Sequence, residues 1–201
     1  MEPKEILEEE SQAKMNKLDL LKVIADEAAA CTRCDLHKSR EKSVFQRGDV
    51  NSKIVFVGEA PGAEENQQGL PFVGRAGKLL DSMIVAMGHT REDVYVCNIC
   101  KCRPPDNRKP SPEEMKTCSP FLVRQLDIVS PKVIIALGAT AMEALLGPGE
   151  GVTKRRGKWA EWNKTKVMVT FHPSYLLRNP SAKEVVKLDL QEVLRYLKEE
   201  K

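Results

Sequence analysis

The sequence predicts an α/β fold, a three-layer α/β/α sandwich with a four-stranded parallel central sheet. Short apolar runs alternate with helical patterns along most of the chain. Each run is apolar throughout, which is typical of parallel strands that are covered on both faces. The 201 residues, 41% of them hydrophobic, suffice for a full core, so we expect residues 1–201 to form one domain.

Each predicted element follows from the spacing of apolar residues and from capping signals. Strands are predicted over residues 53–57, 94–99, 132–137 and 166–171, and helices over about residues 18–28, 75–87, 112–128 and 181–201. Gly88 is well placed to end the second helix. Ser111-Pro-Glu-Glu114 is a capping box that begins the third helix. The acidic segment 1–14 is expected to fray.

The charge distribution is compatible with a polyanionic partner. The formal net charge is +3, but the first 20 residues carry six acids against three lysines, which leaves the remainder at about +6. Basic residues cluster at 101–109 and 154–158, where a solvated loop and a phosphate contact are both open interpretations. Because no run reaches transmembrane length and the N-terminus has no apolar signal region, we expect a cytoplasmic monomer without membrane contact.

Six cysteines indicate a metal site. Cys31 and Cys34 form a Cys-x2-Cys pair, the spacing that brings two thiolates onto one metal within a turn. The remaining cysteines are Cys97, Cys100, Cys102 and Cys118. Zinc, an iron–sulfur cluster and disulfides are the alternatives, of which disulfides are the weakest because nothing directs the chain to an oxidising compartment.

Polar side chains follow three of the predicted strands, at the edge where parallel sheets bind their ligands. The first strand ends in the tight turn Gly58-Glu-Ala-Pro-Gly62, which carries Glu59. Asn98 lies at the end of the second strand, and His172 follows the fourth. A carboxylate, a carboxamide and an imidazole on one rim suit a small polar ligand whose charge changes during a reaction.

Together these motifs resemble those of the iron–sulfur uracil-DNA glycosylases, often called family 4, over roughly residues 31–195. The motifs are, in chain order, Cys31-x2-Cys34, Gly58-Glu-Ala-Pro-Gly62, Pro71-Phe-Val-Gly-Arg-Ala-Gly77, Asn98, Lys101-Cys-Arg-Pro-Pro105, Cys118 and His172-Pro-Ser-Tyr-Leu-Leu-Arg178. The resemblance implies a [4Fe–4S] cluster as cofactor and the excision of uracil from single- or double-stranded DNA.

The resemblance also implies roles for the site residues. Asn98 would accept a hydrogen bond from uracil N3–H and donate one to O4, while Phe72 would stack on the flipped ring. His172 would stabilise the anion that develops on uracil, and Glu59 would stabilise the sugar cation and position or deprotonate the attacking water. The uracil-binding residues would be Gly58, Ala60, Phe72, Asn98 and His172.

The remaining implied roles concern DNA and the cluster. Ser174 would contact a phosphate, and the lip that enters the gap left by the flipped base would consist of Leu176, Leu177 and Arg178. The cluster ligands would be Cys31, Cys34, Cys102 and Cys118. Cys97 and Cys100 are predicted to lie in one strand with their side chains on opposite faces, as apolar wall residues that flank Asn98.

Two alternatives stand beside a glycosylase that turns over. A related branch captures uracil-DNA covalently through a histidine in the loop before the last ligand cysteine, but loop 103–111 contains no histidine, and Ala60 stands where that branch has glutamine. A non-enzymatic iron–sulfur protein that binds nucleic acid would leave Glu59, Asn98 and His172 unexplained. Strand preference, activity on other deaminated bases, a redox role and a replication clamp as partner stay open.

Overall fold

The structure, a computed structural model, describes residues 16–199, so the segment 1–14 that is predicted to fray lies outside the described residues. The strands are β1 (Gln46–Gly48), β2 (Ile54–Gly58), β3 (Tyr95–Asn98), β4 (Val133–Leu137), β5 (Trp159–Trp162) and β6 (Thr165–Thr170). The α-helices are α1 (Lys17–Ala30), α2 (Ala63–Gln68), α3 (Arg75–Ala86), α4 (Pro112–Val129), α5 (Gly138–Leu146), α6 (Val152–Arg155), α7 (Pro173–Arg178) and α8 (Lys183–Glu199). Short 3-10 helices lie at Asp35–Lys38, Pro105–Asn107 and Pro180–Ala182.

The sheet has the strand order β1-β3-β2-β4-β6-β5. Its four inner strands are parallel, which confirms the predicted sheet, and β1 and β5 add antiparallel strands at the two edges. The sequence did not predict these edge strands because β1 has only three residues and β5 has the mixed sequence Trp-Ala-Glu-Trp. A hairpin turn with positive φ at Asn163 (45°) and Lys164 (67°) joins β5 to β6.

Helices cover both faces of the sheet, as predicted for a three-layer sandwich. On one face, buried side chains of α1 and α4, such as Leu21 and Phe121, pack with Val55 and Ile134 of the sheet. On the other face, α3, α7 and α8 bury their apolar sides against the alternate residues of the same strands. Among the described residues, no helix combines the length and the apolar character that crossing a bilayer requires.

Helix α4, which carries Cys118, begins at the predicted capping box. The Ser111 hydroxyl accepts from the Glu114 backbone N–H at 3.2 Å, and the Glu114 carboxylate accepts from the Ser111 N–H at 2.7 Å. Arg108 donates two further hydrogen bonds to the same carboxylate, at 2.7 and 2.8 Å. The box therefore fixes the start of α4 and also ties it to the loop that follows Cys102.

Ser111→Ala is expected to lower the free energy of unfolding by about 1 kcal/mol, because the first turn of α4 loses a side-chain acceptor. Ser82→Ala is a matched control, since the exposed Ser82 hydroxyl bonds only the Lys78 carbonyl of the preceding turn in α3. Urea unfolding followed by circular dichroism measures both. Equal unfolding midpoints for Ser111→Ala and the unsubstituted protein would contradict a stabilising cap.

Candidate active site

A cavity of ≈ 320 Å³ opens at the carboxyl ends of the parallel strands. Glu59 directly follows β2, Asn98 ends β3, and His172 lies two residues after β6. The predicted site residues that line this cavity are Glu59, Ala60, Phe72, Asn98, His172 and Ser174. The parallel topology therefore brings the predicted carboxylate, carboxamide and imidazole into one pocket.

Gly58 lets Asn98 and Phe72 converge in this cavity. The parallel register places Gly58 beside Asn98. A Cβ on Gly58 would lie 2.4 Å from the Asn98 Oδ1 atom and 2.5 Å from the Phe72 ring, so no larger residue fits there. Asn98 is 2% exposed, and among the described residues its Oδ1 has no hydrogen-bond donor. A buried acceptor left alone costs about 1–3 kcal/mol, so the site is prepared for a ligand that donates a hydrogen bond.

The buried Lys101 side chain contacts the backbone of Asn98. The fully buried Lys101 ammonium donates to the Asn98 carbonyl at 2.5 Å and to the Gln125 side-chain oxygen. The Gln125 amide in turn donates to the Tyr95 hydroxyl at 2.9 Å and to the Phe45 carbonyl at 3.1 Å. Burial lowers the pKa of Lys101 from its ordinary value. This network, which the sequence did not predict, holds the end of β3 in place.

The backbone of Phe72 is held in an unusual conformation. Its φ is +55°, in the left-handed region that non-glycine residues rarely adopt. The buried Arg91 guanidinium donates to the carbonyls of Pro71 and Phe72, at 2.9 and 3.0 Å, and it is also paired with Asp81. Gly77 allows helix α3 to approach, because a Cβ there would lie 1.9 Å from the Phe72 carbonyl oxygen. These contacts keep the ring over the cavity.

Glu65 joins the two loops that form the cavity wall. Its carboxylate accepts from the backbone N–H groups of Val73 and Gly74, both at 2.9 Å, and from that of Gly62 at 3.1 Å. The turn after β2 and the loop of Phe72 are thereby fixed relative to each other. Glu65 is a further residue that the sequence did not predict, although its partners lie only three, eight and nine residues away.

Thr140 orients the Glu59 carboxylate. The Thr140 side chain is buried near the start of α5, and its hydroxyl donates a hydrogen bond to Glu59 Oε2. Thr140 was not predicted from the sequence, although it lies three residues after the end of β4, where side chains at strand ends are expected to meet. One carboxylate oxygen of Glu59 is thus bound, which fixes the direction in which the other faces.

His172 is held as a neutral imidazole. The Ser174 backbone N–H donates to His172 Nδ1 at 3.1 Å, and the Ser174 hydroxyl lies 2.8 Å from the same nitrogen. Since Nδ1 accepts, the ring proton is on Nε2, which is free to donate to a ligand. Burial, with the nearby Arg178 cation, lowers the pKa of His172 from 6.5 to about 4. The ring is therefore an uncharged donor at neutral pH.

The predicted lip is wrong at one of its three residues. Leu176 is 1% exposed and belongs to the core between the sheet and α3, so its predicted place at the lip is wrong. Leu177 is 39% exposed and Arg178 is exposed, as a DNA-contacting role requires. Successive residues of a helix point about 100° apart, and the sequence did not determine which of the two leucines of α7 faces the core. Tyr175, 37% exposed, lies beside them.

The four predicted cluster ligands line one small cavity between the end of α1 and the middle of α4. These residues are Cys31, Cys34, Cys102 and Cys118. N–H groups donate to three of the sulfurs, from Arg33 to Cys31 (3.3 Å), from Arg40 to Cys102 (3.2 Å) and from the Lys101 backbone to Cys118 (3.3 Å). Four cysteine thiolates are the ligands of an iron–sulfur cluster, and N–H donors and cationic neighbours stabilise the negative charge of such sulfurs.

The remaining cysteines do not line that cavity. Cys97 lies in β3, as predicted, but Cys100 lies two residues beyond the strand, so the prediction that both lie in one strand is wrong for Cys100. Neither lines the Asn98 cavity as a wall residue. Beyond the strand, the Cys100 N–H bonds the Glu59 carbonyl in the turn after β2, at 3.0 Å. The neighbouring Cys100 thiol lowers the pKa of the Cys118 thiol, while the pKa of Cys100 itself is raised.

Four cysteine sulfurs are a donor set that suits an iron–sulfur cluster and also a single zinc ion. Within residues 16–199, no three side chains of Cys, His, Asp or Glu are grouped around one point as ligands of a single metal ion. A tetrahedral zinc site holds its sulfurs about 2.3 Å from the metal, and hence close together. In a cluster with one iron per cysteine, the cysteine sulfurs lie farther apart. Burial raises the pKa of the Cys34 and Cys102 thiols, which bound iron would offset.

Comparison with known proteins identifies related chains. The model of the uracil DNA glycosylase superfamily matches residues 45–198. The type-4 uracil-DNA glycosylase of Thermotoga maritima is 46% identical over 186 residues, which are 90% of this chain and 97% of that protein. The type-4 enzyme of Archaeoglobus fulgidus is 41% identical, over 88% of this chain and 92% of its own. The type-4 uracil-DNA glycosylase of Saccharolobus solfataricus is 42% identical, over 88% of this chain and 86% of its own.

The His172 ring is expected to remain neutral, with its proton on Nε2, down to about pH 4. The folded protein resists protonation because the charged ring would be buried beside Arg178, whereas an unfolded chain takes up the proton near 6.5. Long-range ¹H–¹⁵N spectra of the ring nitrogens, assigned with His172→Gln, measure the tautomer and the midpoint. A midpoint near 6.5, or a proton on Nδ1, would contradict this description.

Proposed function

Because the chain belongs to the uracil-DNA glycosylase superfamily and to its type-4 group, we propose that it flips uracil out of DNA and hydrolyses the N-glycosidic bond, leaving an abasic site. The observation that carries the proposal is the unpartnered Asn98 Oδ1 in a cavity that also holds an aromatic ring, a neutral imidazole and a carboxylate. The product belongs to base excision repair of DNA.

Base selection rests on Asn98. Uracil carries a donor at N3 and an acceptor at O4, and the vacant Oδ1 supplies the acceptor that N3–H needs. Cytosine has an acceptor at N3 and a donor at N4. It would leave the buried Oδ1 without a donor and would place the N3 lone pair against that oxygen. Phe72 stacks on the base, and Gly58 leaves room for that approach. Flipping is cheapest when uracil is mismatched or unpaired.

Bond cleavage leaves negative charge on uracil and positive charge on the sugar. The His172 Nε2–H, aimed at uracil O2, stabilises the developing anion, and a neutral donor does so without giving up its proton. Glu59 stabilises the sugar cation and positions or deprotonates the attacking water, in an orientation that Thr140 sets. Backbone amides of the turn, including that of Ala60, complete the pocket.

We assign the cofactor as a [4Fe–4S] cluster held by Cys31, Cys34, Cys102 and Cys118. When bound, the cluster crosslinks three chain segments beside the site; a redox role is not needed for hydrolysis. Cys102 precedes the 103–111 loop, whose Arg108 lines the uracil cavity. The cluster therefore supports the wall of the pocket rather than the reacting atoms. The protein would act on DNA in the cytoplasm, as a monomer.

Uracil release from end-labelled oligonucleotides tests the proposal. Alkali after incubation cleaves abasic sites, so strand breaks at uracil, with none at thymine or cytosine, are the expected result on single-stranded and duplex DNA. Covalent capture is the alternative that the absence of histidine from loop 103–111 disfavours. A protein–DNA adduct on a denaturing gel in place of release would establish capture. If neither an adduct nor released uracil forms, the protein only binds DNA.

Glu59→Gln and His172→Ala are each expected to lower single-turnover excision about 100-fold or more, because each removes a charge or a donor that acts in the transition state. The visible absorbance of the cluster should not change, since neither residue lines its cavity. Glu64→Gln, an exposed acid on α2, is the matched control and should retain full activity. Normal excision by both site variants would refute the assigned roles.

Cys102→Ser and Cys100→Ser form a matched pair for the cluster. Cys102→Ser should lose iron and acid-labile sulfide, because it removes one of four ligands. Cys100→Ser should retain both, since Cys100 does not line the ligand cavity although it is only two residues away. Iron and sulfide analysis of the purified proteins measures the difference. Retention by Cys102→Ser together with loss by Cys100→Ser would reverse the ligand assignment.

A further inference from the structure

A second cavity, of ≈ 500 Å³, adjoins the one that contains Asn98. Glu59, Ala60, His172 and Ser174 line both cavities. Neither Asn98 nor Phe72 lines the second cavity, so the base that those residues hold does not fill it. The larger space next to the reacting bond thus has no role in holding uracil or in cleaving the bond.

An aromatic pair forms one wall of this second cavity. The Phe171 and Tyr175 rings are stacked, with centroids 4.6 Å apart and planes inclined by 25°. Phe171 immediately precedes His172, while Tyr175 lies on the exposed side of α7 and is 37% exposed. Because one ring backs the other, the open face of Tyr175 is a rigid, flat surface. Leu137 and Val152 add apolar side chains to the same cavity.

Cationic side chains lie at the same cavity. Arg178, exposed at the end of α7, and Lys109 both line it. The Lys109 ammonium is shared with Glu143, 3.0 Å away, so the guanidinium of Arg178 is the more available of the two charges. A flat aromatic surface next to a guanidinium is the combination with which proteins hold single-stranded nucleic acid, stacking a base and contacting its phosphate.

We propose that the second cavity binds the nucleotide next to the flipped uracil, with its base stacked on Tyr175 and its phosphate near Arg178. The inference rests on the proposed function, which puts the uracil sugar at Glu59 and uracil O2 at His172. The neighbouring nucleotide is one phosphodiester away from that sugar, and the second cavity adjoins the sugar position because it shares Glu59 with the first cavity. Since the neighbouring base must leave its own stack to reach Tyr175, the preferred substrate is single-stranded or locally opened DNA.

Removal of the neighbouring base tests the subsite. Single-turnover excision is measured on a single-stranded oligonucleotide and on two versions in which a tetrahydrofuran residue, which has no base, replaces the nucleotide on the 5′ or the 3′ side of uracil. The unsubstituted protein should lose about tenfold in rate on one of the two. Tyr175→Ala should lose about tenfold on the intact strand and show no further loss on the base-free strand, while Tyr175→Phe should behave as the unsubstituted protein.

Leu188→Ala is the control, because Leu188 is 61% exposed on α8 and lines neither cavity. Equal rates of the unsubstituted protein on all three strands would overturn the subsite, and this result does not depend on any variant folding. If Tyr175→Ala lowers the excision rate on duplex DNA only, the subsite is also overturned. Tyr175 would then act by separating stacked base pairs and not by holding a neighbouring base. Uracil release without dependence on the neighbour rejects the subsite alone, whereas no release from any strand rejects the proposed function too.

Discussion

The parallel pairing of β2 with β3 sets Gly58 beside Asn98, and a Cβ at Gly58 would lie 2.4 Å from the Asn98 Oδ1 atom. The Phe72 ring occupies the space that this Cβ would take. Because Gly58 has no side chain, the Phe72 ring and the buried Asn98 Oδ1 can lie side by side at the ends of β2 and β3. The acceptor has no donor among residues 16–199. A ligand that donates there while it stacks on the ring therefore gains two interactions from groups that are already in place.

Much of the surrounding structure serves to keep those groups in place. Arg91 holds the left-handed backbone at Phe72, and Glu65 ties the loop of Phe72 to the turn after β2. Lys101 holds the Asn98 carbonyl from within the core, while its backbone N–H bonds the sulfur of Cys118. The same residue thus contacts both the strand that ends in Asn98 and a proposed cluster ligand. The cluster cavity and the uracil cavity are in this way parts of one rigid framework, and hydrolysis needs no electron transfer between them.

The sequence predicted what the sheet topology decides. Glu59, Asn98 and His172 could be found because carboxyl ends of parallel strands meet at one edge, and apolar runs reveal such strands. The partners that orient these residues could not, since Arg91 acts through contacts about 20 residues away in the chain, as its 19- and 20-residue separations from Phe72 and Pro71 show. The orientation of α7 about its axis could not be predicted either, because Leu176 and Leu177 are the same residue type. Leu176 is buried, whereas Leu177 is exposed. The edge strands escaped prediction since pairing at an edge does not require an apolar run.

Binding of methylated uracils tests the central claim, that the vacant Asn98 acceptor reads N3–H, most directly. In 1-methyluracil, the methyl group takes the place of the sugar and N3–H remains, whereas in 3-methyluracil the methyl group replaces the donor. The two compounds are isomers, so titration calorimetry or competition with excision compares binding with the N3–H donor and with a methyl group in its place. Binding of 1-methyluracil, with 3-methyluracil weaker by tenfold or more, is the predicted result. Equal binding of the two would contradict the account, because the base would then be selected without Asn98.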